Sequence, residues 1–151
     1  MYRIAPADPA QPQAIAMQAA LSATLAAITG DSGQASFDAG DVRGEGAVFL
    51  LACDGSGQPH GCGALRPLQP GVAELKRMYA APGSQGLGAQ LLAALEQQAA
   101  GFGYRALWLS TRRINTRAVQ FYLRHGYREI PPYGHYVGRS ASICLGKELA
   151  C

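Results

Sequence analysis

The chain has 151 residues, 48% hydrophobic and 15% charged, which suits one soluble globular domain with a real core. Its formal net charge of +3 is mild, and apart from Lys76–Arg77 and Arg112–Arg113 the basic residues are scattered. That excludes a nucleic-acid footprint but suits a small polyanionic ligand. No apolar run reaches the ~18 residues of a membrane span, and no apolar segment follows Arg3 to form a signal peptide. The expectation is a cytoplasmic protein with no nucleic-acid and no membrane partner.

Tyr2–Ala5 predicts a short strand, broken by Pro6, Pro9 and Pro12. Ala14–Ile28 is alanine-rich, carries Ile15, Leu21, Leu25 and Ile28, and predicts a helix. Thr29–Gly46 lacks periodicity and is rich in Gly, Ser and Asp, and a loop of this length is usually functional or mobile. Its Phe37 is either a lid residue or a plug into the core. Ala47–Cys53 is nearly all apolar, as for a strand covered on both faces. Asp54-Gly55-Ser56-Gly57 is turn chemistry, and His60–Leu68 is the partner strand of a hairpin, with Gly61 and Gly63 leaving space for a neighbour or a bulge. The four cysteines, Cys53, Cys62, Cys144 and Cys151, contain no Cys-x-x-Cys pair, so neither zinc nor another metal is expected. Cys53 and Cys62 flank the turn and could face each other, but buried reduced thiols are the expected state.

The next stretch organises the chain. Val72, Glu74, Leu75, Met78 and Tyr79 are strand residues that end at Pro82, and Gly83, Gly86 and Gly88 fall in a turn. Leu87, Leu91, Leu92, Leu95 and Ala99 then repeat at helical spacing. A helix that opens on glycines presents unpaired N–H groups and the positive end of its dipole, a site for an anion such as a phosphate. The turn matches neither Gly-x-Gly-x-x-Gly nor a loop ending in Gly-Lys-Ser/Thr, so its ligand must be identified elsewhere. Tyr104–Ser110 predicts a strand, Asn115 caps a helix to His125, and Tyr127–Ile130 and Ala141–Leu149 are the last strands, with a loop at Tyr133–Ser140. A meander followed by βαβ units implies a single α/β domain with a mixed sheet and helices on both faces.

Two blocks give this pattern a family. Ala73-Glu74-Leu75-Lys76-Arg77-Met78-Tyr79, with Pro82 and Gly86-Leu87-Gly88-Ala89, resembles strand four, the pyrophosphate loop and the following helix of the GNAT superfamily of acyl-CoA N-acyltransferases. Asn115-Thr116-Arg117-Ala118-Val119-Gln120-Phe121-Tyr122, ending His125-Gly126-Tyr127, is similar to that family's Asn-x-x-Ala-x-x-Phe-Tyr-x-x-x-Gly-Phe/Tyr block. One position departs from the pattern: Gly83 stands where the family usually has Arg or Gln. The loop is also short, with Gln85 its only long polar side chain.

The resemblance implies a twisted, mostly antiparallel sheet of six to seven strands, splayed between the fourth and fifth, with the pantetheine arm of acetyl-CoA inserted there. Met78 and Tyr79 would supply backbone groups to the arm, and the Met78 N–H would polarise the thioester carbonyl. Gln85, Gly86, Leu87, Gly88 and Ala89 would hold the pyrophosphate, and Asn115, Ala118 and Tyr122 would line the arm. The implied activity is acetyl transfer to a primary amine of a small molecule in a ternary complex. The alternatives are a silent acyl-CoA-binding sensor, or an acetyltransferase acting on a protein or peptide amine. Such chemistry needs a base, because a lysine-like amine has a pKa of roughly 10.4, and an acid for the thiolate. Glu74 resembles the base of some members, and burial among apolar neighbours would raise its pKa. Equally, Glu74 is a structural ion-pair partner of Lys76, Arg66 or Arg77. Tyr122 is the acid by resemblance and a core tyrosine otherwise. Phe37, Arg77, Tyr133 and His135 are candidate acceptor-binding residues, with His135 a second candidate base. A homodimer is expected only by family habit.

Overall fold

The computed structural model describes residues 1–34 and 37–149. The elements are β1 (Arg3–Pro6), α1 (Pro12–Thr29), β2 (Val48–Cys53), β3 (Pro59–Gln69), β4 (Val72–Ala80), α2 (Leu87–Gly101), β5 (Ala106–Arg112), α3 (Thr116–Arg124), β6 (Arg128–Glu129) and β7 (Ser142–Glu148). Short 3-10 turns cover Ala39–Val42 and Gly134–Tyr136. Every expected helix and strand is present, with shifted ends. Tyr104 stands before β5 instead of in it and donates its hydroxyl hydrogen to Gly46 O at 2.6 Å, tying the long loop to the sheet.

The strand order is β1-β2-β3-β4-β5-β7-β6. Each neighbouring pair is antiparallel except β4–β5, which is parallel and joined through α2. The apolar run of β2 is buried on both faces: Val48, Leu50 and Ala52 join the α2 and α3 side, and Phe49 and Leu51 join the α1 side. Leu87, Leu91, Leu92 and Leu95 of α2 pack on Leu65, Leu75, Leu107 and Leu109, while Ala14 of α1 packs with Val42, Cys62 and Ala64. The hairpin register sets Cys62 opposite Leu51 and Cys53 opposite Pro59, so the two cysteines do not face each other, and both are free thiols. Cys151 lies outside the described residues.

Two departures from regular pairing shape the centre of the sheet. Cys62 pairs with Tyr79 and Ala64 with Lys76, so two steps on β3 face three on β4. The extra residue is a bulge at Arg77, whose φ of 56° is left-handed for a side chain that disfavours it. The bulge turns Met78 towards the α2 core, where its sulfur fills the space beside Gly63. A Cβ at Gly63 would sit 2.6 Å from Met78 Sδ and 2.7 Å from Leu95 Cδ1. The second departure is that β4 and β5 pair only at Val72–Ala106, Ala73–Leu107 and Glu74–Trp108, although β4 continues to Ala80 and β5 to Arg112. Beyond Glu74 the strands separate, and their facing edges enclose a gap.

Candidate active site

Past its last pairing with β5, β4 runs on to Ala80 and, through residues 81–86, to the start of α2. Its N-cap is Gly86 at φ 75°, a left-handed conformation that glycine adopts without strain, and no side chain caps it. Leu87 N bonds Ser84 O and Gln90 N bonds Gly86 O, so the Gly88 and Ala89 amides stand in the first turn, where a helix offers no internal acceptor. The Ser84 hydroxyl turns back onto Ala81 O, and Gln85 is exposed beside the turn. Gly88 packs closely on α3, where an added Cβ would lie 3.3 Å from the Phe121 ring. Asn115 caps α3, its Oδ1 accepting from Ala118 N at 3.4 Å. Tyr122 on the same helix is buried between Phe121 and Tyr127. Burial alone raises its hydroxyl pKa, so it stays protonated.

Glu74 lies where the gap opens, 1% exposed, on the face that looks towards α1. Its neighbours are polar, not apolar. Arg66 Nε donates to Oε1 at 2.8 Å, Tyr133 donates its hydroxyl hydrogen to Oε2 at 2.6 Å, and Lys76 Nζ stands 3.8 Å from Oε2. Arg77, the third expected ion-pair partner, is turned away by the bulge. Arg66 also reaches Asp41 at 3.1 Å. Glu74 therefore joins the long loop, through Arg66 and Asp41, to the 131–141 loop, through Tyr133. Lys76 donates to the Tyr136 hydroxyl at 3.2 Å. Burial lowers the Lys76 pKa, with Glu74 opposing. Burial first, then the Glu74 charge, raises the Tyr133 hydroxyl well above its ordinary value and Tyr136 to about 12. Trp108 packs on Tyr133 with ring centroids 5.4 Å apart.

The other candidate residues fall around this cluster. Arg77 reaches across to α1, donating to Ser22 Oγ at 2.7 Å and Gln18 O at 2.9 Å, with its guanidinium 5.9 Å from the Phe37 ring. Phe37 is half-buried against the α1-side core. His135 is exposed and stacks on Tyr136 at 4.0 Å between centroids. Met78 and Tyr79 carry the β4 edge along the gap. Arg66 and Lys76 stand beside Glu74 as two of its three expected ion-pair partners, whereas Asp41 and Trp108 join the site without having been singled out for it. Period-two alternation on β3, β4 and β5 was the signal available for Arg66, Lys76 and Trp108, but nothing local marks Asp41.

The centre of the sheet thus offers two parallel strands that part beyond Glu74 and a helix that opens without a side-chain cap. A sequence model of the Acetyltransferase (GNAT) family matches residues 16–127, most of the chain, and the chain belongs to that family. It is 35% identical over 91 residues to an uncharacterized N-acetyltransferase of Schizosaccharomyces pombe, a match spanning 58% of this chain and 56% of that protein. The chain thus spans little more than half the length of that relative. A provisionally assigned acyl-CoA N-acyltransferase from Klebsiella pneumoniae superposes with a TM-score of 0.85 at 30% identity, covering 99% of each chain. A GNAT acetyltransferase from Elizabethkingia anophelis with acetyl-CoA bound superposes at 0.71 over 98% of each chain; at 20% identity it speaks to the fold.

Proposed function

We propose that the chain is an acetyl-CoA-dependent N-acetyltransferase that acetylates a primary amine of a small molecule by direct attack in a ternary complex. The observation that carries this reading is the gap: β4 and β5 stop pairing at Glu74–Trp108, and β4 runs on, through residues 81–86, to the free amides of α2. These features fit the arm and pyrophosphate of CoA, and the acetyl-CoA bound to the Elizabethkingia protein supports the same ligand here. Acetyl-CoA supplies the thioester whose carbonyl the amine attacks. On the chain's side, the Met78 N–H orients and polarises that carbonyl, and the Tyr79 backbone, Asn115 and Ala118 hold the arm. The Gly86–Ala89 turn, beside Gln85, holds the phosphates. Glu74 receives the amine's proton, with the Tyr133 hydroxyl on Oε2 as its path to a carboxylate that solvent does not reach. Tyr122, kept protonated by burial, holds the proton for the departing sulfur. Neither of the two blocks that carry the family pattern contains a cysteine, which favours direct transfer over an acetyl-cysteine step. The sequence carries no acidic cluster of the kind that would favour a basic peptide, which supports a small acceptor.

The test is a thermal shift with acetyl-CoA, CoA and NAD, followed by thiol release over a panel of amines. Binding at a hundredfold excess over Kd stabilises by about 2.7 kcal/mol. A shift with the CoA species and thiol release with one amine class is the expected result. No shift with either CoA species overturns the assignment.

A further inference from the structure

Beside the gap, three polar atoms are buried and left without partners. Among the described residues, the buried side-chain nitrogens and oxygens lacking a hydrogen bond are Arg77 Nε, Ser110 Oγ and Arg112 Nε. All three belong to the strands that border the gap, and Ser110 and Arg112 stand beyond the last β4–β5 pair. Leu107 and Leu109 face the α2 core, so alternation sets Trp108, Ser110 and Arg112 on the opposite face, the face of Glu74 and Tyr133. Arg77 reaches that face as well. The two guanidinium groups reach adjacent residues of one short segment: Arg77 Nη1 lies 3.5 Å from Ser32 O, and Arg112 Nη1 lies 4.0 Å from Asp31 Oδ2.

Their charge is poorly matched. Arg77 is 8% exposed, and its described hydrogen bonds go only to neutral oxygens, those of Gln18, Ser22 and Ser32. Among the described residues, the carboxylate that Arg112 reaches is the exposed Asp31, at the limit of ion-pairing distance. Lys76 adds a third cation on this face, and its carboxylate neighbour Glu74 is already bonded to Arg66 and Tyr133. A buried guanidinium such as that of Arg77 normally has an anion to pair with, and Arg112, whose side chain is partly exposed, keeps a buried Nε without a partner. Arg77, though not Arg112, lines an open surface pocket of 360 Å³ together with Ile15, Phe37, Gln18 and Gln34, a volume suited to a small ligand.

We propose that the acceptor is an amino carboxylate: its carboxylate seats on Arg77 and Arg112, and its apolar part lies against Phe37 and Ile15. The inference rests on the acetyltransferase reading above and names the substrate class for it. Arg77 Nη2 already serves Gln18 O and Ser22 Oγ, so Arg77 offers the carboxylate single charge-assisted hydrogen bonds, and the freer guanidinium of Arg112 supplies the planar fork that can donate two in parallel. An acceptor lacking the carboxylate would leave both arginines as they are now, with buried donors unused.

The experiment measures thiol release by the full chain with acetyl-CoA on two matched pairs: phenylalanine with 2-phenylethylamine, and 6-aminohexanoate with pentylamine. The carboxylated member of at least one pair is expected to be favoured about tenfold or more in kcat/KM, chiefly through KM, the size of a charged hydrogen bond. Arg77→Met and Arg112→Met should bring that ratio towards one, with Arg77→Lys retaining part of it. A merely structural arginine would slow both members equally and leave the ratio unchanged, which would overturn the proposal. So would a ratio of one or less in both pairs, even with brisk turnover of the plain amines, a result that leaves the acetyltransferase reading standing. Arg77→Met, which frees α1, can fail to fold; Arg112→Met, on a partly exposed side chain, then carries the comparison. If no amine releases thiol, the melting temperature with each amino carboxylate in the presence of CoA decides. A stabilisation that Arg112→Met abolishes upholds the site, and none overturns it.

Discussion

Tyr133 donates its hydroxyl hydrogen to Glu74 Oε2 at 2.6 Å, joining residues 59 positions apart in a buried contact. With the bond from Lys76 to the Tyr136 hydroxyl, it holds the 131–141 loop to the sheet where β4 leaves β5. Tyr133→Phe keeps the ring on Trp108 and removes only the donor, leaving a buried carboxylate oxygen short of a partner. That should destabilise by about 1–3 kcal/mol, lowering Tm by about 2–4 °C per kcal/mol in a chain of this size. If the amine's proton also travels through this hydroxyl, kcat should fall further than the lost stability explains. Thermal denaturation and thiol release on the same preparation separate the two effects. A normal melt with normal turnover would remove Tyr133 from both roles.

Glu74→Gln separates basicity from architecture. The amide oxygen still accepts from Arg66 or Tyr133, and Arg66 keeps Asp41 at 3.1 Å, but the side chain can no longer take a proton. Loss of a general base costs about a hundredfold or more. We therefore expect kcat to fall by that amount while the thermal shift with acetyl-CoA persists. Breaking the pair with Arg66 also costs stability, because one buried charge loses its opposite. If the variant turns over at the parent rate, the proton goes elsewhere, and His135 becomes the next residue to substitute.

The fold was largely legible because its signals are local. Alternation marked the strands, the leucines of α2 repeated at helical spacing, and glycine and proline punctuated the ends. The gap between β4 and β5 followed only from the family pattern. The register that creates it, three residue pairs and then none, depends on where two strands start and how far each twists. The Arg77 bulge was hidden for a related reason: no residue type announces a left-handed arginine. Its one trace was Gly63, whose missing Cβ makes room for Met78 Sδ. Around Glu74 the sequence offered three cations without ranking them. The ranking came from geometry, since Arg66 stands opposite Glu74 in the β3–β4 register while the bulge sends Arg77 to α1. Asp41 sits in a loop with no periodicity, and only the folded chain brings it to Arg66.

Tyr122→Phe tests the other end of the reaction. Burial raises the pKa of its hydroxyl, so the group holds its proton over the whole usable range. A proton donor of this kind adds no alkaline limb to the rate profile below about pH 10, the value of a free tyrosine. We expect a lower kcat at every pH, an unchanged profile shape, and an undiminished melting shift with CoA. Loss of the CoA shift would instead make Tyr122 a wall of the binding site.

Gly86→Ala probes the turn at the start of α2. The residue has φ 75° and a Cβ added there would meet no atom within 4 Å, so the penalty is conformational and not steric. A left-handed alanine costs about 1–2 kcal/mol. The fold should survive this, and the first-turn amides should shift as the backbone relaxes. The expected result is a small drop in Tm without ligand and a larger one with acetyl-CoA. Equal drops would mean that the turn does not hold the phosphates.

Cys62 gives a pH signature for the bulge itself. Its thiol donates to Arg77 O at 3.2 Å, and desolvation pushes its pKa up to about 12 from an ordinary 9.0, with Arg77 opposing. Between those values the unfolded chain releases a proton that the folded chain keeps, so the unfolded state binds fewer protons and stability falls as pH rises. This one group contributes a decline of about 1.4 kcal/mol per pH unit in that window. Cys62→Ala removes it, so the parent's stability should fall more steeply than the variant's above pH 9, measured by urea denaturation. Since the thiolate is the reactive form, iodoacetamide at pH 8 should modify the partly exposed Cys53 in the native protein and spare Cys62 until denaturant is added. Peptide mapping reads both. Prompt native alkylation of Cys62 would mean that the β3–β4 bulge opens far more often than its packing allows.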